Sequence, residues 1–402
     1  MKNNSAYLAV IVAALGYFVD AYDLILFSVL RGASLRDLGV PEGELLKVGV
    51  SILNLQMSGM LLGGIIWGVF GDRHGRIAVL FGSILLYSLA TLASAFIYDV
   101  FWYGPLRFIA GVGLAGELGA GITLVSESLS KEKRGIGTTC VAAVGVAGVV
   151  VAALIADTVP WRQSYLYGGL MGLVLLALRI GVYESGLFES MSTEVSRGSL
   201  IMLVGSKHRV KLYLSCILVG LPIWFVVGIL FTFSPELGLD LEITGPVVAS
   251  KSVLYGYCGF VLGDLSSGLV SQFIRSRKKA IAIFLLLIVL ACWHFLGLYG
   301  ASPEQLYRSA LFCGFAGGYW AVFVTTAAEQ FGTNLRATVT TTVPNFVRGA
   351  VVPMTSLFSL LISSAGPIAS AALVGAICFL LALGGLLLMK ETFGTDLDFI
   401  EE

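Results

Sequence analysis

Two aspartates lie close together in the first apolar segment of the sequence. Asp20 and Asp23 are three residues apart in the stretch from Gly16 to Leu24, so a helix would place both carboxylates on one face, about 4.5 Å apart along the axis. Two acids this close in an apolar environment repel each other, which favours reversible proton binding by at least one of them. The alternative is that one aspartate is satisfied by an arginine or by backbone for a structural reason.

A further pair of charges occurs in the fourth apolar segment. Arg107 and Glu117 are ten residues apart, roughly 15 Å along a helix axis, so they do not form one ion pair. A buried charge costs several kcal/mol unless it faces a cavity or a partner. We therefore expect Arg107 to bind an anion and Glu117 to serve as an alternative proton carrier, each facing a central pathway. A structural salt bridge between helices is the other interpretation.

The second half of the chain supplies more candidate binding groups. Lys251 and Arg348 are cations within apolar segments and would suit an anionic substrate, with Tyr319 and Asn345 as hydrogen-bonding neighbours. We add Tyr17 of the first segment to this predicted substrate-binding set.

Asp264 is a separate case in the second half. It follows Lys251 by thirteen residues, roughly 20 Å of helix, and so lies at a different depth. Two interpretations stay open: it pairs with a group of the first half, or it forms a latch.

The sequence lacks the patterns of an enzyme. It has no nucleophile elbow, no metal-binding His or Cys spacing and no phosphate loop in the required context. Gly111 to Gly116 spells G-x-G-x-x-G, but inside an apolar run, where glycines allow helices to pack closely. The six cysteines also fall in apolar runs. We therefore expect no catalytic residues, no metal and no cofactor, and a net charge of zero argues against a nucleic-acid partner.

The elements that position these residues are apolar helices. The chain is 57% hydrophobic and 12% charged, with a mean hydropathy of +0.91, which excludes a water-soluble protein. Apolar runs of about 20 residues, enough to span a bilayer, recur along it. They predict an all-α integral membrane fold with twelve transmembrane helices, at 6–30, 47–70, 77–98, 100–127, 137–158, 161–183, 211–233, 246–273, 279–299, 305–329, 337–362 and 368–389.

One long polar break near the midpoint divides these helices. It predicts an N-terminal six-helix bundle over 1–183, a linker over 184–210, a C-terminal six-helix bundle over 211–390 and a tail over 391–402. Sixteen Lys and Arg residues lie on one side of the predicted membrane and four on the other. Because cytoplasmic loops are the basic ones, the termini, linker and tail are expected in the cytoplasm of a bacterium, with the bundles in its inner membrane.

The two predicted bundles resemble each other in sequence. Leu62-Gly63 recurs as Leu262-Gly263 at an offset of 200, and Glu127 with Arg134 recurs as Glu329 with Arg336 at an offset of 202. Internal repeats of this kind are typical of transporters and predict two pseudo-symmetric halves.

A charged loop after the second helix carries the most specific motif. The stretch from Gly68 to Arg76 resembles the G-x-x-x-D-R-x-G-R signature of the major facilitator superfamily at every fixed position. Acidic and basic residues at other predicted cytoplasmic helix ends resemble signatures of its sugar and organic-ion porters. The resemblance implies a gating role for Gly68, Asp72, Arg73, Gly75, Arg76, Glu127, Arg134, Glu329 and Arg336.

Motifs in the first and fourth helices resemble one particular branch of this superfamily. D-x-Y-D-L around Asp20 and R-F-x-x-G-x-G-x-x-G-E after Arg107 are similar to the metabolite:proton symporter branch. That branch implies a monomeric symporter that moves a small polar metabolite, here expected to be an organic anion, together with protons by alternating access. A proton-driven exporter of drugs or of a secreted metabolite such as a siderophore is the alternative. A membrane-embedded enzyme or sensor is the third class considered.

Overall fold

The computed structural model is helical throughout its regular elements. It describes residues 2–74, 76–117, 119, 121, 131–184, 203 and 205–394, with the side chains of 2–9, 71–77, 131–140, 142–143, 181–184, 333–334 and 337 left undescribed. The helices are α1 Lys2–Asp37, α2 Leu45–His74, α3 Arg76–Ser94, α4 Val100–Leu114, α5 Lys131–Thr158, α6 Trp161–Glu184, α7 Lys207–Phe225, α8 Ser234–Asp240, α9 Ala249–Ile274, α10 Arg277–Leu296, α11 Pro303–Gly317, α12 Trp320–Glu329, α13 Thr333–Gly349 and α14 Val351–Leu388.

The apolar helices account for twelve membrane crossings in the described residues. Eight segments are long and apolar enough to cross a bilayer, and three shorter apolar helices accompany them. The last long segment, Thr338–Leu388, has 51 residues, more than twice the length of about 20 that one crossing needs. It contains a sharp kink at Gly366, where φ is 75°. Dividing the segment there gives twelve helices, which confirms the predicted all-α membrane fold.

The chain forms two compact units. The first comprises residues 1–41 and 51–199, and the second comprises 42–50 and 200–402. In the first unit α1 packs on α5 and α6, and α3 packs on α4 and α6. In the second, α9 packs on α11 and α7 on α14. Most residues of the predicted linker, 184–210, lie outside the described residues, as do most residues of the predicted tail. The predicted bounds of the two bundles, the linker and the tail therefore stay predictions.

Both units use glycine to bring a corresponding pair of helices into backbone contact. A Cβ at Gly63 of α2 would clash with the carbonyl of Val112 in α4, and one at Gly263 of α9 would clash with the carbonyl of Phe315 in α11. Gly63 and Gly263 are the two residues that the internal repeat relates. Each unit therefore contains the same close approach of two helices at the same place in its repeat.

Three helices of the second unit are interrupted. A π-helical segment, Val226–Phe231, continues α7 after Pro222. The membrane span predicted at 305–329 is present as Pro303–Glu329, but it is divided into α11 and α12 by a break that the sequence did not predict. At the break, a Cβ on Gly318 would lie 2.6 Å from the backbone nitrogen of Asp264. The close approach of α9 thus requires glycine there, and two successive glycines weaken helix propensity.

The kink in α14 has a cap of its own. Pro367 follows Gly366 and cannot continue the hydrogen-bonding pattern of the preceding turn. The carboxylate of Asp240, at the end of α8, accepts a hydrogen bond from the backbone N–H of Ile368 at 3.1 Å. The new helix therefore begins with a carboxylate at its N-terminus, where the helix dipole favours negative charge.

Candidate functional site

An ion pair joins Asp23 of α1 to Arg107 of α4 in the first unit. Nη1 of Arg107 donates to Oδ1 of Asp23 at 3.1 Å, and both side chains are buried, at 0% and 1% exposed. The hydroxyl of Thr91 in α3 donates to the second oxygen, Oδ2, at 2.6 Å. The structure thus brings together two predicted site residues from separate segments. An arginine that satisfies one of the aspartates is the structural alternative stated in the sequence analysis.

Polar groups that sequence reasoning missed surround the Arg107 guanidinium. Its Nη2 donates to the hydroxyls of Thr91 at 3.1 Å and Ser94 at 2.9 Å. The ring of Tyr165 lies 4.7 Å from the guanidinium carbon, and its hydroxyl lies 2.7 Å from that of Tyr103. Thr91 and Ser94 are three residues apart in α3 and so lie on one helix face. That spacing is the sequence pattern that could have indicated a polar surface beside Arg107. Arg107 is therefore held on several sides within its own unit.

Asp20 and Tyr17 lie on α1 close to this pair. Asp20 is 0% exposed and lies one helical turn before Asp23, so both carboxylates of the predicted pair are buried. Tyr17 is half-buried, and its ring occupies the space that a Cβ on Gly145 of α5 would need. The predicted proton-carrying role of Asp20 and the substrate contact of Tyr17 stay predictions.

Glu117 pairs with Arg179, a residue of α6 that the sequence analysis did not single out. Nη1 of Arg179 donates to Oε2 of Glu117 at 3.0 Å, and Nη2 donates to Oε1. A Cβ on Gly16 of α1 would clash with both side chains. No spacing rule links Glu117 to an arginine 62 residues away, so the pair could not be found from the sequence. An ion pair between helices is the other interpretation that the sequence offered for Glu117, and its role as a proton carrier stays a prediction.

Arg348 of α13 differs from these two arginines. It is 2% exposed, yet neither its Nε nor its Nη1 atom has a hydrogen-bond partner among the residues that the structure describes. Its guanidinium carbon lies 5.7 Å from the ring centre of Trp224 and 5.9 Å from that of Trp320. We call these three residues the Arg348 site. A buried cation with unused donors between two indoles can bind a flat anion, because the guanidinium fork matches a carboxylate.

Interruptions of the second unit position both indoles. Trp224 precedes the π-helical segment of α7, and Trp320 is the first residue of α12, directly after the break. π-Helical turns are frequent at functional sites, and the indoles contribute cation–π attraction. Neither tryptophan was among the predicted substrate contacts beside Arg348.

The other predicted substrate contacts of this unit have different surroundings. Asn345 lies one turn before Arg348 and is buried, and its amide donates to the carbonyl of Thr341 at 3.1 Å. Tyr319 is buried, and its hydroxyl donates to the carbonyl of Val219 at 2.9 Å. That hydroxyl is thus used to hold α7. Their contact with a substrate stays a prediction.

Lys251, the other predicted anion-binding cation of this unit, is exposed, and its contact with a substrate stays a prediction. It lies in the first turn of α9 with an exposed side chain, and its ammonium is 5.9 Å from the ring centre of Tyr307. The helix begins at Ala249 rather than at the expected residue 246, which leaves Lys251 close to the end. A flexible ammonium at a helix end is easily hydrated, so this lysine needs no buried partner.

The predicted gating residues of the first half cannot be followed at the side-chain level. Gly68 lies on α2 and is half-buried. Gly75 and Glu127 lie outside the described residues, and only the helical backbone is described at three arginines and one aspartate. These are Asp72, Arg73, Arg76 and Arg134.

In the second half, the predicted gating residue Glu329 ends α12 and contacts two elements. It forms an ion pair with Arg277 of α10 at 3.4 Å and accepts a hydrogen bond from the hydroxyl of Thr392 at 2.6 Å. Arg336 donates to the carbonyls of Ala328 and Phe331 at 3.3 Å. Polar contacts of these residues therefore connect α10, α12, α13 and the start of the tail.

Glu391 holds the start of the tail against the N-terminus of α10. Burial alone would raise the pKa of this carboxyl, but hydrogen bonds from the Ser276 hydroxyl and from the backbone N–H groups of Phe393, Arg277 and Lys278 hold the pKa below its ordinary value. The carboxylate thus interacts with the positive end of the α10 dipole.

Comparisons with known proteins agree with this architecture. Residues 13–352 match the model of the Major Facilitator Superfamily. The chain is 27% identical to a putative metabolite transport protein of Haemophilus influenzae, covering 84% of each chain. It is 26% identical to the putative niacin/nicotinamide transporter NiaP of Bacillus subtilis, covering 96% of each.

A third relative matches over a shorter stretch. The 4-hydroxybenzoate transporter PcaK of Pseudomonas aeruginosa is 31% identical, over 39% of this chain and 35% of its own length. The family match covers most of the chain, and the long relatives match it almost from end to end. The chain therefore belongs to the Major Facilitator Superfamily and is a membrane transporter rather than an enzyme.

Proposed function

We propose that the chain is a proton-coupled symporter that takes up a small aromatic carboxylate by alternating access. The observation that carries this proposal is the Arg348 site, where a buried guanidinium has unused Nε and Nη1 donors and lies near two indole rings. The names of two relatives give niacin or nicotinamide and 4-hydroxybenzoate as their substrates. Niacin and 4-hydroxybenzoate both combine a carboxylate with an aromatic ring.

Electrostatics supports an anion at this position. A buried charge without a partner is costly, and the cost falls when a charge-assisted hydrogen bond is formed. A carboxylate beside Arg348 would supply an acceptor oxygen to one of its unused donors, and an aromatic ring attached to it could stack on Trp224 or Trp320. Arg107 and Arg179 are less suited, because carboxylates of their own unit already bind them.

The buried aspartates of α1 support the proton-coupled part of the proposal. Asp23 accepts from Arg107 and Thr91, and Asp20 is buried one turn away. Protonation of Asp23 would remove the charge that holds Arg107, so proton binding and rearrangement of this unit are linked. We also propose that both termini lie in the cytoplasm, as the distribution of basic residues predicts.

Binding measurements on an arginine pair test the substrate proposal. We expect Arg348→Gln to weaken binding of nicotinate to purified protein on the order of a hundredfold, because the variant loses a buried charge-assisted contact. The matched control is Arg308→Gln, which removes an exposed arginine of the same unit and should change the Kd less than about twofold. Nicotinate binding by Arg348→Gln with wild-type affinity would contradict the proposal.

A further inference from the structure

Asp264 links α9 to the N-terminus of α12 at the interrupted helix. Its Oδ1 atom accepts a hydrogen bond from the backbone N–H of Ala321 at 3.0 Å. The residue before the helix, Tyr319, gives α12 no side-chain cap, because tyrosine is not among the short polar residues that cap helices. A carboxylate from another helix therefore does what an N-cap residue ordinarily does.

The position of α12 determines where Trp320 lies. Trp320 is the first residue of α12, next to Ala321, and its ring centre is 5.9 Å from the guanidinium carbon of Arg348. On the other side of the break, the backbone of Gly318 lies directly against Gly263 and Asp264. Trp320 thus follows a two-residue break, Gly318 and Tyr319, whose first residue packs directly on α9.

We infer that Asp264 is a positioning residue for substrate binding, which holds Trp320 in place beside Arg348 through its hydrogen bond to the start of α12. The inference rests on the proposed function of the Arg348 site. Asp264 itself need not touch the substrate. Its effect on binding should pass through Trp320 and depend on an acceptor oxygen at residue 264, not on charge.

Uptake kinetics of nicotinate in proteoliposomes test this dependence. We expect Asp264→Ala to raise KM about fivefold, if the whole cost of a lost helix cap appears as lost substrate affinity, with the maximal rate within about twofold of wild type. Asp264→Asn keeps an acceptor oxygen and should stay within about twofold of wild type in KM. Asp240→Ala is the matched control, because Asp240 also accepts from the N–H of another helix but at the kink of α14, and its KM should not change.

A double-mutant cycle separates positioning from a general structural role. If Asp264 acts through Trp320, adding Asp264→Ala to Trp320→Ala should raise KM no further than Trp320→Ala alone. Effects that multiply in the double variant would overturn the inference. So would an unchanged KM in Asp264→Ala.

Fluorescence makes the test independent of transport. The difference in emission between proteins with Trp320 and with Trp320→Phe isolates this indole, and we expect it to shift in the Asp264→Ala background but not in Asp264→Asn or Asp240→Ala. Absence of that shift would overturn the inference. If wild-type protein takes up no nicotinate, the proposed function fails, and the emission shift alone then decides whether Asp264 positions Trp320.

Discussion

The buried charges of the two units are satisfied in different ways. In the first unit, Arg107 pairs with Asp23 and Arg179 pairs with Glu117, all within the protein. In the second, Arg348 has indole rings near it and unused donors. Breaking a buried pair from one side leaves an uncompensated charge and costs about 3–5 kcal/mol. The proposed function accordingly assigns proton binding to the first unit and anion binding to the second.

Substitution of Asp23 tests the proton-sensitive pair at the level of one residue. Asp23→Asn keeps the shape of the side chain but removes its titratable charge and leaves Arg107 without its anion. We expect uptake driven by a pH gradient to fall at least tenfold, measured in proteoliposomes at matched protein content. Asp20→Asn should also impair it if the two acids act together.

Asp99→Asn is the matched control for these variants. Asp99 caps α4 at its exposed N-terminus, and asparagine caps helices about as well as aspartate, so gradient-driven uptake should be unchanged. If Asp20→Asn and Asp23→Asn both retained wild-type gradient-driven uptake, the assignment of the proton site to α1 would be wrong.

At the scale of elements, glycine contacts and helix breaks set where the site residues lie. Gly63 and Gly263 let α2 approach α4 and α9 approach α11. The break at Gly318 then places Trp320 at a helix start, and the π-helical segment follows Trp224. Close packing and interruption thus occur in the same part of the second unit.

A pair of glycine substitutions on α9 tests the importance of this packing. A Cβ at Gly263 would clash with the backbone of α11, whereas a Cβ at Gly268 would meet no atom within 4 Å. We expect Gly263→Ala to lower the thermal unfolding temperature of the detergent-purified protein, since overpacking typically costs about 1–3 kcal/mol. Gly268→Ala should leave it unchanged or raise it, because alanine is the better helix former. Equal stability of the two variants would contradict the packing argument.

Sequence patterns were sufficient for features that depend on local periodicity. Hydropathy predicts the twelve helices, and the spacing of Asp20 and Asp23 predicts that they share a buried stretch of α1. The break between α11 and α12 was missed, because Gly317 and Gly318 lie in an apolar run whose hydropathy does not change there. It depends on the approach of α9, a contact between residues about 55 apart in the chain.

Contacts between side chains of different helices could not be predicted from the sequence. Arg179 lies alone in an apolar segment, and its partner is fixed only when α4 and α6 pack around Gly16. Trp224 and Trp320 meet Arg348 from two other helices. An orphaned donor such as Nε of Arg348 can be recognised only when its surroundings are known.

At the scale of the whole molecule, the repeat relates two units that share one glycine-mediated helix contact and differ in their buried charges. The first concentrates buried acids with their arginines, and the second contains Arg348, whose Nε and Nη1 atoms have no hydrogen-bond partner among the described residues. Under the proposed function, the first unit binds the proton and the second binds the anion, so uptake depends on both ligands.

Proton movement that accompanies substrate entry tests the central claim most directly. Proteoliposomes in a lightly buffered medium without an imposed gradient receive nicotinate outside, and a pH electrode records the external medium. Coupled symport predicts that the external pH rises as nicotinate enters, in wild type and in Arg308→Gln but not in Arg348→Gln. Entry of nicotinate without any change in external pH would contradict the account.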